Sequence, residues 1–218
     1  MQRFLRLAMR SRNPIAKSFD SELLHFAIVA ALSSRPTPAA AASILKFWFN
    51  ETKPDQWFRR DLALDAACRA RFMALHQAAR QGRLDVWRAS PRPALARIII
   101  LDQFSRNIYR DDPRAFAQDD IALAAARDAI RRRFDKRFAA SERAFVYMPF
   151  MHAEDLCAQN ECVALFKAQL PGTMNVPFAI QHRNIIERFG RFPHRNKVLG
   201  RQSTPEEITF LKAGGFNP

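Results

Sequence analysis

The chain has 218 residues, 48% of them hydrophobic and 26% charged, with 13 Pro and only 6 Gly. That balance excludes a disordered or fibrous chain, fits one globular domain large enough for a real core, and favours helix over sheet. A net charge of +14 flags nucleic acid or an acidic partner, but Lys and Arg are spread along the chain and no polybasic block of five appears. A solvated basic surface is therefore expected, and nucleic acid is not the favoured partner.

Cysteine use points the same way. Cys68, Cys157 and Cys162 are odd in number and irregular in spacing. They suit no disulfide framework or metal knuckle, and they favour a reducing, cytoplasmic compartment. All three are expected as small buried apolar residues.

Residues 1–42 differ from the rest. Arg3, Arg6, Arg10, Arg12 and Lys17 come before any acid, and an apolar stretch from Leu23 to Leu32 follows. The pattern loosely imitates a targeting segment, but the stretch is too short to span a bilayer. The expectation is a mobile N-terminal extension, with Pro36–Ala42 as the linker to a single domain over 43–218.

Ser43 is then read as the cap of a short helix carrying Ile44, Leu45, Phe47, Trp48 and Phe49. Trp57 to Gln81 has apolar residues at spacings of three and four, with Gly82 to stop it. Ser90-Pro91 restarts a helix, and Pro93 to Asn107 is its most apolar part. Asp111-Asp112-Pro113 is expected to open the next, through Ile130. Ser141 to Glu154 follows, with Pro149 expected to end or kink it near Met148. Cys162–Leu170 and Pro177–Phe189 come next, stopped by Pro171-Gly172 and Gly190. Thr204-Pro205-Glu206-Glu207 reads as a strong helix start. The class is all-α: seven or eight helices, short connections, antiparallel neighbours in a compact bundle.

Chemistry concentrates in His182–Arg201, which packs His182, His194, Arg191, Arg195 and Asn196 among Phe189, Phe192 and two Gly. Guanidinium forks suit carboxylate or phosphate, so Arg191 and Arg195 are candidate anion ligands. Asp102 and Arg106 share a helix face at i, i+4, with Asn107 beside them. His152 and Glu154, just after Pro149, are candidate acid/base groups, as is His194. His152, Glu154, His182 and His194 match no metal spacing, so no metal site is assigned. There is no serine elbow, phosphate loop or dinucleotide glycine pattern.

Leu101-Asp-Gln-Phe-Ser-Arg-Asn107, Tyr147-Met-Pro-Phe-Met-His-Ala-Glu154, Phe189-Gly-Arg-Phe-Pro-His-Arg-Asn196 with Leu199-Gly-Arg201, and the opening Ile44-Leu-Lys-Phe-Trp-Phe49 resemble a bacterial and eukaryotic family, domain of unknown function 924. The likeness spans about Ser43 to Phe216. It departs at Ser105 and Ala153, where the family usually has Pro and Ser, which argues against a serine mechanism at 153. The resemblance implies a helical fold similar to tetratricopeptide-like superhelices and supplies no reaction and no cofactor. Three functions remain open at this point: a hydrolase for a small anionic substrate with His acid/base chemistry, a tetratricopeptide-like module for a peptide carboxylate or acidic partner, and an RNA binder.

Overall fold

The computed structural model describes residues 36–216. Among them are eight α-helices and no strand: α1 (Pro38–Lys46), α2 (Leu62–Arg80), α3 (Pro91–Ile108), α4 (Asp119–Arg131), α5 (Ala140–His152), α6 (Leu156–Gln169), α7 (Asn175–Phe189) and α8 (Pro205–Lys212). The class is all-α, as the periodicity requires. The basic run at the start and the Leu23–Leu32 stretch lie outside the described residues.

α3 is the axis of the bundle. Helices α1, α2, α4 and α5 all pack on it, and α5, α6 and α7 pack in succession beyond. Its Ile98–Leu101 run is buried on every side. A helix that is apolar all round belongs in a core, and four β-branched or leucine residues in a row do not by themselves make a strand. Phe104, fully buried on α3, has its ring centroid 5.0 Å from Phe72, 5.5 Å from Trp48 and 5.9 Å from Phe47. One side chain thus ties the turn after α1 to α2 and α3.

Several boundaries differ from expectation, each for a local reason. Pro36–Ala42 is not all linker: Thr37 caps α1 by accepting from the Ala40 amide at 3.1 Å, and Ala41 is buried. Ser43 lies inside that helix and its hydroxyl donates back to the Ala40 carbonyl. α2 starts at Leu62, not near Trp57, because Asp61 accepts from the Ala63 and Leu64 amides. Asp112 caps only the 3-10 turn Pro113–Ala115, and α4 begins later at Asp119. α6 begins at Leu156, where Asp155 accepts from the Ala158 amide. α5 runs through Pro149 to His152. Proline there removes one donor from the ladder, but Pro149 is buried along with every residue from Ala144 to Met151, and packing keeps the helix continuous. Of the cysteines, Cys68 and Cys162 are buried as expected, whereas Cys157 is exposed.

Phe104→Ala removes the ring that joins the turn after α1 to α2 and α3. It is expected to lower unfolding free energy by about 3–5 kcal/mol, read from the shift of a urea unfolding midpoint. An unchanged midpoint would contradict this account of the core.

Candidate functional site

The continuity of α5 sets up the site. It carries His152 to the last turn, opposite Asp102 on α3. Asp102 is fully buried. Its Oδ1 lies 2.8 Å from His152 Nδ1, and its Oδ2 accepts from Gln103 Nε2 at 2.6 Å. Arg106, one turn on, stands 3.3 Å from the same carboxylate and donates to the Asp102 backbone carbonyl at 2.8 Å. Burial alone would push the Asp102 carboxyl up. His152 and Arg106 beside it, with the two hydrogen bonds, outweigh burial and hold it well below the usual carboxylate range. Asp102 is therefore an anion, and His152 Nδ1 must be the protonated nitrogen that donates to it. The ring's other nitrogen, Nε2, is left with its lone pair. Burial and Arg106 lower the His152 pKa against the pull of Asp102, so the imidazole is neutral near pH 7. Its side chain is 17% exposed.

A second layer surrounds this pair. Asp119, at the first turn of α4, meets Arg106 at 3.0 Å and accepts from Arg195 at 3.1 Å. Arg195 also donates to the His152 carbonyl at 3.0 Å, satisfying one of the free carbonyls at the end of α5. The Arg195 guanidinium is sandwiched between Phe116 and Phe192, 4.5 Å from each ring. Burial brings its pKa down to about 10, against Asp119. Its Nε is buried without a hydrogen-bond partner, and so is Nδ1 of neighbouring His194.

His182, on α7, bonds through Nδ1 to the Phe178 carbonyl at 2.8 Å. Burial drives it down to about 4, with His152, Arg195 and Arg106 adding to the effect. Burial and Arg195 take His194 to about 3. Both rings flank Phe192 and Phe216: His182 is 4.5 Å from the Phe216 ring and His194 5.5 Å.

The other expected residues play different parts. Glu154 accepts from the Phe192 amide at 2.8 Å and from both terminal nitrogens of Arg201 at 2.6 and 2.9 Å. With both oxygens engaged and its pKa lowered by Arg201 and that amide against the effect of burial, it clasps the 190–201 loop and is poorly placed to shuttle protons. Arg191 forks onto Glu207 at 2.7 and 2.9 Å, and Asn196 donates to the same carboxylate at 3.1 Å. Arg191 holds Glu207 down to about 2. Asn107 faces away, donating to Asp65 at 2.9 Å beside Arg110. Ser105 is buried against His76 at 2.8 Å. Asp119, Gln103, Phe116 and Arg201 complete the cluster but were not anticipated. Only the 190–201 loop's own acid–base imbalance hinted that acids must come from elsewhere.

One cavity lies away from the Asp102–His152 pair. It has about 640 Å³ and lies between α7, α8 and the chain's last described residues, lined by Phe178, Gln181, Ile185, Phe189, Phe210 and Phe216 among others. Phe216 is shared: one side faces the cavity, and its ring also contacts His182 and His194. Among the described residues no group of three or more His, Cys, Asp or Glu is placed to hold a metal, and no helix is long and apolar enough to cross a membrane.

These features define an all-helical protein built around a buried carboxylate–imidazole pair with an arginine-rich second layer. Residues 44–215 match the family described as bacterial protein of unknown function, DUF924, and the chain belongs to that family. A solved structure of a protein of unknown function from Agrobacterium tumefaciens, ATU0120, is similar at 42% identity. The match covers 81% of this chain and 98% of that one, with a TM-score of 0.77. No curated protein matches.

The buried histidines give the fold an acid sensitivity with a definite sign. His76, His182 and His194 have folded pKa values near 4, 4 and 3 against an ordinary 6.5. As pH falls below about 6.5 the unfolded chain takes up protons that the folded one refuses, so stability drops towards pH 4. At pH 5 each is expected to cost roughly 1–2 kcal/mol relative to pH 7. Urea unfolding at the two pH values reads the difference, and His182→Gln should remove about one third of it. Equal stability at both would show that these rings are not buried neutral.

Proposed function

We propose that the protein is a hydrolase for a small anionic substrate, with His152 as general base. The observation that carries this reading is the Asp102–His152 pair. A buried carboxylate fixes the tautomer and orientation of a neutral, partly exposed imidazole, and so directs a basic nitrogen outward. Structural histidines need no such anion behind them. In the reaction, Nε2 takes a proton from water as the water oxygen bonds to the electrophilic centre. The same proton then passes to the leaving oxygen as the bond to it breaks, so the base is regenerated. Arg106, 20% exposed beside the pair, is itself held by Asp102 and Asp119, so it supports the substrate's negative charge through its positive field rather than through a free fork. Arg195 is deeper and supports it through Asp119.

The reading as a tetratricopeptide-like module for a peptide carboxylate or acidic partner draws less support. Such a partner needs free guanidiniums, and Arg191, Arg195 and Arg201 are already paired with Glu207, Asp119 and Glu154.

The test is a hydrolysis screen on small carboxylate- and phosphate-bearing esters. His152→Gln is expected to reduce turnover about 10²–10⁴-fold, and Asp102→Asn to do so while changing KM little. Because the neutral ring is the active form and its pKa lies below 6.5, kcat/KM should be flat above about pH 6.5 and fall in acid. Turnover that survives His152→Gln would end the proposal.

A further inference from the structure

Resting on that reading for its purpose, the contacts around His152 give a part to an acid on another helix. We propose that Asp119 is a positioning residue: it takes up the Arg106 guanidinium and so leaves Asp102 Oδ1 to the imidazole of His152.

Asp102 Oδ1 is contested. Gln103 holds Oδ2 at 2.6 Å, so His152 Nδ1 at 2.8 Å and Arg106 Nη1 at 3.3 Å approach the same remaining oxygen. Arg106 lies one turn after Asp102 on the same helix face, where such pairs form readily. A guanidinium bond to a carboxylate carries charge on both sides, whereas a neutral imidazole offers it on one side only. Unopposed, Arg106 would win that oxygen. Asp119 opposes it. Its Oδ2 accepts from Arg106 Nη2 at 3.1 Å, and its Oδ1 faces Nη1 in ion-pair contact at 3.0 Å. Both nitrogens of the fork are drawn towards α4, and the link to Asp102 Oδ1 is the longest of the three carboxylate contacts. Asp119 is itself fixed. It stands in the first turn of α4, where the helix dipole favours an anion, and its amide donates to the Phe116 carbonyl at 3.1 Å. Arg195 Nη1 donates to Asp119 Oδ2 at 3.1 Å, and Arg195 Nη2 donates to the His152 carbonyl at 3.0 Å. The contacts therefore close a ring. It runs from the His152 imidazole through Asp102, Arg106, Asp119 and Arg195 back to the His152 backbone.

The tautomer of His152 reads this competition directly. In proton–nitrogen NMR spectra of the full chain, with the signal assigned from His152→Gln, the ring proton is expected on Nδ1. Asp119→Asn frees the fork, and the ratio of the Nδ1–H to the Nε2–H form should fall at least about tenfold, the equivalent of one charge-assisted hydrogen bond. Arg106→Gln removes the competitor. Both it and the double variant Asp119→Asn/Arg106→Gln should therefore keep the proton on Nδ1. An acid that merely braced the fold would not become dispensable once Arg106 is gone. An unchanged tautomer in Asp119→Asn overturns the proposal, and so does a double variant that loses the Nδ1 proton. Should Asp119→Asn not fold, the double variant decides. It must fold with the proton on Nδ1, and failure of both to fold would mean that Asp119 braces the chain and does not position His152. These spectra need no substrate, so this proposal and the hydrolase fail separately. A parent chain that turns over no ester sinks the hydrolase and leaves Asp119 its role. Where there is turnover, Asp119→Asn should lower kcat by a similar factor with KM little changed. Turnover through His152 alongside an unchanged tautomer would sink the role of Asp119 alone.

Discussion

A single buried charge governs the centre of this molecule. Asp102 sits without solvent contact on the central helix of the bundle. An isolated carboxylate there would be prohibitively costly, and it persists as an anion only when paired and hydrogen-bonded. That requirement fixes its neighbours. Gln103 takes one oxygen, His152 the other, and Arg106 supplies the countercharge. His152 can reach only if α5 continues past Pro149, so the packing of α5 and the ionisation of Asp102 are one constraint seen from two elements. Replacing such a set by apolar side chains is often neutral or stabilising in proteins generally. A charge retained in a core is thus weak support for stability as its purpose and better support for chemistry.

The outer arginines obey a different logic. The 190–201 loop has no helix long enough to hold itself, and its position comes from acids supplied by other segments. Glu154 follows α5, Asp119 starts α4, and Glu207 sits in the first turn of α8. Glu207 serves twice, since it also closes the capping box with Thr204 by bonds of 2.7 and 3.2 Å. The loop is therefore a hub joining three helix ends. Its dense polar composition, which in isolation looks like a ligand site, is mostly consumed by that joining. What escapes the pairing is small and specific: one guanidinium nitrogen, one imidazole nitrogen and the open face of His152.

This division explains what could be read in advance. Local chemistry was legible. The Thr204–Glu207 box, Ser90-Pro91 at the head of α3 and Gly190 at φ +69° after α7 are all signals contained within four residues. The apolar run Ile98–Leu101 identified α3, and the motif around His152 singled out one half of the Asp102–His152 pair. Asp102 was matched with Arg106 instead, because i, i+4 pairing is visible along a sequence and a contact fifty residues away is not. Asp119 went unnoticed for the same reason: nothing near it says that two arginines from α3 and the 190–201 loop converge there. Pro149 misled because its backbone preference is local while its burial is not, and in a packed helix the second effect wins.

The two acids that flank His152 show how environment divides labour among identical groups. Asp102 has one oxygen on an imidazole and lies in the core, so its charge acts on a ring whose second nitrogen remains available. Glu154, two residues beyond that ring, has both oxygens on Arg201 and one also on the Phe192 amide, so its charge is consumed in place. The first arrangement transmits a proton preference outward; the second ends in a clasp. Arg106 opposes Asp102 in setting the His152 pKa, one lowering it and the other raising it, while burial lowers it further. The imidazole is thereby kept neutral and oriented at the same time. That pairing of properties is what a general base near neutral pH requires, and no other histidine among the described residues combines a carboxylate on one nitrogen with partial exposure of the ring.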